Sequence, residues 1–475
     1  MRNLIIVLAL LVAACTSNNS YIDDPTINSA DNSKIIDYID KRLQEEYYWL
    51  DEVEQRGSSF NRRLHWESYL DDALSKLTTN EDDGYYTSKG QRVYYSYINE
   101  VSRDTRSAAT GFGIDLHYTI VIIDKDNQNY GFVIENVFPD SPAAMAGVRR
   151  GDIIVMYNNG YINASNYATY FNSIQGNTAS TLKLQIRRRA VAVGEDDTFS
   201  VSLDKGSYDE TVVMHSEVIE VEGSDKKIGY LVYTGFDSEY DDAMVDVLRG
   251  FAAEGVDDVI LDLRCNSGGA VSSVVTLCSA LVPPSYENGL VCSLVRNPRN
   301  TKENTSEFRL KNTGEVLNLQ RLTVLCSGYS ASASELVVMG LRGLDFPVSL
   351  IGSTTQGKNC GMDVSRRTVG SRYLEYAPIT FMCFNAKGFG DWGEGIIPDI
   401  DLREDNSSGV SDKNYPLPAA DWGDMGHDIA LSVAVAEITG KRVTVPETRA
   451  AMMEMDVAAY VDMPIEGARV YCADR

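Results

Sequence analysis

Between Arg321 and Asn359 the hydrophobic period changes twice, and that change constrains the fold more than any other feature of the chain. RLTVLC is apolar and β-branched, ELVVMGLRG carries apolar residues at helical spacing and ends in Gly, and FPVSLIG is apolar again. The stretch therefore reads as strand, tight turn, short helix, second strand. Such βα alternation, repeated in VDDVILDLR followed by GGAVSSVVTLCSALV, implies a largely parallel sheet. The serines of SASAS fall on the turn.

A serine at that place suits a nucleophile. The first N–H groups of a helix have no intrahelical partner, and the positive end of its dipole favours developing negative charge. Ser330, Ser332 and Ser334 equally suit a plain helix cap in a small-residue turn. Lys358 tips the balance, because a serine hydroxyl needs a base and Ser-Lys pairs serve as well as Ser-His ones. A lysine acts as a base only when neutral, which burial among apolar groups favours. Lowering its pKa by roughly 3 units costs about 4 kcal/mol, so a built pocket is required. The apolar strand FPVSLIG just before it provides a place for one.

SASASE, followed in the next strand region by a Gly-Lys pair, resembles the carboxy-terminal processing (tail-specific) serine proteases. The resemblance implies Ser332 as nucleophile and Lys358 as base. It also implies an oxyanion hole made of the N–H of Ala333 and one from a Gly-Gly turn, here Gly268 and Gly269 in DLRCNSGG; which of the two serves stays open. IGYLVYTGF and VILDLR before the serine turn, and GEGIIPDI after it, extend the likeness over roughly residues 30 to 440. The expected core is a crotonase-like spiral with a mostly parallel sheet, and no metal or cofactor is expected.

Many family members place a Gln or an acid four residues after the lysine, and here that residue is Met362. Asp363 follows, but in a regular strand it faces away from Lys358, so only a bulge brings it round. Two other motifs occupy the same stretch. Gly352 to Lys358 nearly spells a phosphate-binding loop, yet Asn359 replaces the Ser or Thr that holds magnesium, and strand follows where a helix is needed. Gly328-Tyr-Ser330-Ala-Ser332 lacks the last glycine of a hydrolase elbow, although Ser330, an Asp near 399 and His427 keep that fold's chain order.

Residues 108–190 turn to short strands and Gly turns. TGFGIDL, the hairpin tip DKDNQN and GFVIENVFPDSPAAMAGVRRGDIIVMYNNGYI resemble a PDZ domain. Its loop Gly111, Phe112, Gly113 and Ile114 is expected to offer N–H groups to a terminal carboxylate while the peptide adds as a strand. DKDNQN lacks the glycine of a calcium loop and reads as a polar tip. Arg187 to Arg189 read as a solvated rim.

With 475 residues the chain holds more than one domain. The expected organisation is a signal segment over 1–14, a flexible spacer over 15–32, a small helical region over 33–105, the PDZ domain, and an α/β catalytic domain over 211–475, in all a multidomain α/β protein. Leu-Val-Ala-Ala-Cys15 resembles the bacterial lipoprotein box, so lipid on Cys15 is expected to tether the protein to a membrane of the cell envelope, facing the periplasm or the cell surface. Ile35, Ile39, Leu43 and Tyr47, and Trp66, Leu70, Leu74 and Leu77, form helical stripes. Ser238 reads as the cap of the helix that carries Met244, Val247, Leu248 and Phe251 on one face.

A formal charge of −25 argues against nucleic acid as a partner. Setting Cys15 aside, seven cysteines without a C-x-x-C pair give neither a disulfide framework nor a zinc signature, and a Cys265–Cys360 bridge stays open. His65 reads as structural, and His117 and His215 lie outside the core motifs. Two functional classes remain: a serine endopeptidase that captures flexible C-terminal tails, and a catalytically inactive PDZ-bearing scaffold on a protease fold, favoured by Met362.

Overall fold

The computed structural model describes residues 29–86, 90–101, 109–188, 197–300, 304–313, 317–402, 420–441 and 457–460. The signal segment, Cys15, Arg189, Cys472 and most of the spacer lie outside them. The first helix begins at Ser29, inside the stretch expected to be spacer.

DVILD is buried at all five residues because it runs through the middle of a six-stranded sheet. The order is Val213–Glu220, Lys227–Tyr233, Asp258–Asp262, Leu322–Cys326, Val348–Gly352 and Ile400–Asp401. Only the first pair is antiparallel, which agrees with the expected mostly parallel core. Side chains alternate across the strand. Val259 and Leu261 thus enter the core with helices Asp241–Glu254, Val271–Leu281 and Ala333–Gly343, whereas Ile260 packs with Leu431, Ala434 and Val435 of Ile429–Thr439. Burying one such aliphatic side chain stabilises by roughly 1.5–3 kcal/mol, so a one-residue slip is strongly disfavoured. The helix Asp241–Glu254 ends on Gly255 in the left-handed region. Its entry differs from expectation: a 3-10 turn, Ser238–Tyr240, precedes it, and Asp237 supplies the capping oxygen in place of Ser238, accepting the Glu239 N–H at 3.1 Å.

An antiparallel sheet, Thr305–Arg309, Leu290–Arg296, Ile379–Phe384 and Cys360–Met362, lies beside this core. The N-terminal helices Ser29–Glu46, Leu50–Arg56 and Trp66–Ser75 bury both predicted stripes. Yet the cluster they enter is shared with Met362, Leu374, Tyr376 and Ile379. So short a segment buries little apolar surface on its own. It is built onto the catalytic strands, and Tyr97–Glu100 completes a three-stranded sheet with Ser365–Val369 and Arg372–Ala377.

The PDZ-like sheet runs Asp197–Asp204, Thr181–Arg188, Ile153–Tyr157, Asn129–Val137, Ile114–Asp124. A further strand, Val457–Tyr460, closes its outer edge, pairing antiparallel with Val121, Ile120 and Thr119. That segment carried no sequence signal. The Asp124 carboxylate accepts the N–H groups of Asp126 and Asn127, which makes DKDNQN the polar hairpin tip expected. Among the described residues no helix is long and apolar enough to cross a membrane.

Candidate active site

Ser332 is the N-cap of the helix Ala333–Gly343 and has φ 59° and ψ −112°. Positive φ is unfavourable for a residue with a Cβ and persists only where its surroundings enforce it. Here the neighbouring hydroxyls do so. Ser330 Oγ donates to Leu263 O at 2.8 Å, Ser327 Oγ to Arg264 O at 2.6 Å and Ser334 Oγ to Asn266 O at 2.8 Å. All three fasten the serine turn to the DLRCNSGG turn. The Ser332 Oγ, by contrast, is buried and among the described residues has no partner beyond the capping-box approach of the Glu335 N–H.

The hydrolase-elbow alternative does not assemble. Ser330 is committed to Leu263, the Asp399 carboxylate accepts Arg342 and the Leu350 N–H, and His427 Nδ1 is held by Asp424 at 2.7 Å. The phosphate-loop alternative fails as foreseen, since Gly352–Lys358 runs into the strand Cys360–Met362.

Glu335 joins the two candidate residues, and it was absent from the sequence reading. Its buried Oε2 accepts the Ser332 N–H at 2.7 Å and the Lys358 N–H at 2.8 Å. Those backbone nitrogens therefore lie no farther apart than these two bonds allow. Oε1 accepts the Thr355 hydroxyl at 2.5 Å and the Gly357 N–H at 2.7 Å. Burial pushes the carboxyl upward, while these donors pull it down. The signal that could have found it is the S-x-x-E spacing of a capping box, Ser332 to Glu335.

Lys358 is 2% exposed, and its Nζ lies 4.7 Å from the ring centroid of Tyr95. Behind that ring sits Asp83, which accepts the N–H of Tyr95 at 3.1 Å, the N–H and hydroxyl of Ser96, and the Tyr47 hydroxyl. Burial pushes its carboxyl up to about 6, partly offset by those donors and by the charge of Lys358. Between about pH 4 and 6 the folded state therefore binds more protons at Asp83 than the unfolded chain does. Stability from this group is present below pH 4 and falls by about 3 kcal/mol as pH rises through 6. Urea midpoints across that interval are expected to lose this slope in Asp83→Asn; equal slopes in the two proteins would refute the assignment.

The two glycines of the Gly turn differ in their N–H groups. Gly268 donates its N–H to Asn266 Oδ1 at 2.9 Å. Among the described residues the N–H groups of Gly269 and Ala333 have no acceptor. Gly268 nevertheless has to be glycine: its φ is +112°, and a Cβ there would stand 2.8 Å from Ser332 Cβ.

Met362 is fully buried among apolar side chains and offers Lys358 no polar group. The strand pairing does shift register between Gly361 and Met362, so the required irregularity exists. Even so, the Asp363 carboxylate accepts Arg296 at 3.3 Å. The Cys265–Cys360 bridge is not formed: all six described cysteines are free thiols, with Cys265 Sγ on Glu135 Oε1 at 2.9 Å and Cys360 Sγ on Asp82 O at 3.2 Å.

Within the PDZ-like unit, Gly113 has φ +74°, and a Cβ would meet Ser141 Cβ at 2.1 Å, so the loop Gly111–Ile114 is tightly seated. Phe112 N–H is donated to Asn177 Oδ1 at 3.3 Å and Leu116 N–H to Gln175 Oε1 at 2.8 Å. A buried polar cluster links this unit to the Gly turn. Glu135 takes the Cys265 thiol and Arg150, and Arg150 stacks 3.7 Å from the Trp422 ring. Arg264 is held by Asp262 and by both oxygens of Asp428. Burial holds the His117 imidazole down at about 4, despite Glu135, so it is neutral near pH 7. His65 caps the helix Trp66–Ser75, accepting the Glu67 N–H, as a structural residue does. His215 sits beside Glu217 at 3.4 Å.

The parallel sheet thus presents a strained serine at a helix start and a buried lysine tied by its backbone to the same carboxylate. Residues 227–402 match the model of peptidase family S41, and residues 133–188 match that of the PDZ domain, the loop Gly111–Ile114 preceding the latter segment. The chain carries a peptidase family S41 domain and a PDZ domain and is a homologue of the carboxy-terminal processing proteases. It is 24% identical over 446 residues to carboxy-terminal processing protease CtpA of Bacillus subtilis (strain 168), covering 93% of this chain and 84% of that one. With the chloroplastic carboxyl-terminal-processing peptidase 2 of Arabidopsis thaliana it shares 24% identity over 341 residues, 70% of this chain and 60% of that protein. Its fold is similar to the crystal structure of a protein assigned to the S41 proteases from Bacteroides fragilis NCTC 9343, with a TM-score of 0.67, 23% identity, and coverage of 85% and 97%.

Proposed function

We propose that the protein is a serine endopeptidase in which Ser332 attacks a peptide carbonyl and Lys358 is the general base. The observation that carries this reading is the division of labour on the turn: three serines fasten it, whereas among the described residues the Ser332 Oγ has no partner outside its own capping box and Glu335 ties its backbone to that of Lys358. The Lys358 amine takes the Ser332 proton as the C–O bond forms. The tetrahedral oxyanion then accepts the N–H groups of Ala333 and Gly269, a role Gly268 cannot share while bonded to Asn266. Lys358 returns its proton to the leaving amine, and water hydrolyses the acyl-enzyme.

The substrates in this reading are flexible protein C-termini, captured at Gly111–Ile114 and added as a strand along Ile114–Asp124. A lipid on Cys15 would hold the enzyme at a cell-envelope membrane. The chain in this reading has a signal segment over 1–14, a spacer that ends at the helix starting at Ser29, a helical region that shares one core with the catalytic strands, a PDZ domain over 108–190, and a catalytic domain over 211–475 whose strand Val457–Tyr460 joins the PDZ-like sheet. A second reading, an inactive PDZ scaffold, draws on Met362, which supplies no orienting group.

Labelling with a fluorophosphonate separates the two. The full chain is expected to label, to lose the label in Ser332→Ala and to keep it in Ser330→Ala. Cleavage of an unstructured protein, mapped by mass spectrometry, should follow the same pattern. An unlabelled wild type that leaves the test protein intact selects the scaffold.

A further inference from the structure

We propose that Tyr95, delivered by the N-terminal region, is a positioning residue whose ring face holds the Lys358 ammonium formed when Ser332 gives up its proton. The inference rests on the Ser332–Lys358 reading and deepens it. Three observations carry it. Met362, four residues beyond the lysine, is buried among apolar side chains and offers it no polar group. The Lys358 Nζ lies 4.7 Å from the Tyr95 ring centroid, with both residues buried. The ring itself is fixed at two points: its backbone N–H is bonded to Asp83 at 3.1 Å, and its hydroxyl accepts from Gln356 Nε2 at 3.4 Å, two residues before the lysine.

An aromatic face attracts a cation and is nearly indifferent to a neutral amine, and the attraction grows when both are out of water. Contact with Tyr95 therefore strengthens as the proton moves from Ser332 Oγ to Lys358 Nζ, and it relaxes when that proton passes to the leaving amine. An interaction that grows during the step lowers its barrier, whereas one that is equal before and after does not. Other ionisable groups near Lys358 are Asp83, Glu335, Cys360 and Cys383. The Asp83 charge also favours the ammonium, Asp83 and Glu335 both accept backbone and hydroxyl donors, and burial pushes both thiols well above their usual range.

The test uses the full chain with Tyr95→Phe, which keeps the ring, and with Tyr95→Leu and Tyr95→Met, which remove the face but keep apolar bulk. Two quantities are read: the pH profile of cleavage, and the titration of Lys358 by its Cε resonance in carbon-13 lysine-labelled protein. In Tyr95→Phe both should match wild type. In whichever of the Leu and Met variants folds, the lysine midpoint and the acid limb should move down by about one pH unit, with kcat falling about tenfold and KM little changed. Identical titration in wild type and the ring-less variants would overturn the proposal, as would a Phe variant that behaves like Leu. A shifted lysine in proteins that neither cleave nor label would overturn the peptidase reading, and the role of Tyr95 with it.

Discussion

Ser332→Ala is expected to lower the cleavage rate by about ten-thousand-fold, and Lys358→Ala by a comparable factor. The double variant should be no slower than the worse of the two single ones. Nucleophile and base act as a unit, so removing either already abolishes proton-coupled attack, and what persists comes from binding and the oxyanion donors. Circular dichroism should be unchanged in Ser332→Ala, because the Ser332 Oγ makes no hydrogen bond that the fold needs. Multiplying losses in the double variant would show that the two side chains work independently, and the dyad would have to be abandoned.

The largest loss of stability is expected at Arg264. Its guanidinium is buried between Asp262 and Asp428, with bonds of 2.5 Å to Asp262 and 2.6 Å to Asp428. Arg264→Met leaves two buried carboxylates without their cation, which costs about 3–5 kcal/mol. The urea midpoint measures this. Removing one of the two uncompensated charges with Asp428→Asn in the Met background should recover part of the loss. A change of under about 1 kcal/mol would mean that the network is solvated and adds little. Because Leu263 O and Arg264 O anchor the hydroxyls of Ser330 and Ser327, the variant is also expected to cleave more slowly at temperatures where it is folded.

How much was legible follows from the range of each interaction. VDDVILDLR announced its strand through an apolar run, and SASASE its helix start through composition, because both signals are local. Composition alone did not separate the serines of the turn, and only the family resemblance pointed to Ser332. Only the partners Leu263, Arg264 and Asn266, from a turn some sixty residues earlier, show which hydroxyls are engaged. Glu335 was within reach as a capping-box residue, but its bonds to Thr355, Gly357 and Lys358 were not. Tyr95 had no signal at all: one tyrosine in YYSYINE gives no hint of a lysine far along the chain. The helical stripes were read correctly as core, yet the partner surface they bury against is built from strands near residue 370, which periodicity cannot name.

The strand Val457–Tyr460 alters what docking on the PDZ-like sheet can mean. At Thr119, Ile120 and Val121 the outer ladder is already taken, and at Leu116 the N–H is bonded to Gln175. A newcomer along this edge must trade places with segments of the same chain, so its main-chain hydrogen bonds replace others and bring almost no net gain. Discrimination between tails then falls to side-chain pockets and to the terminal carboxylate, and occupancy becomes a contest decided by local concentration.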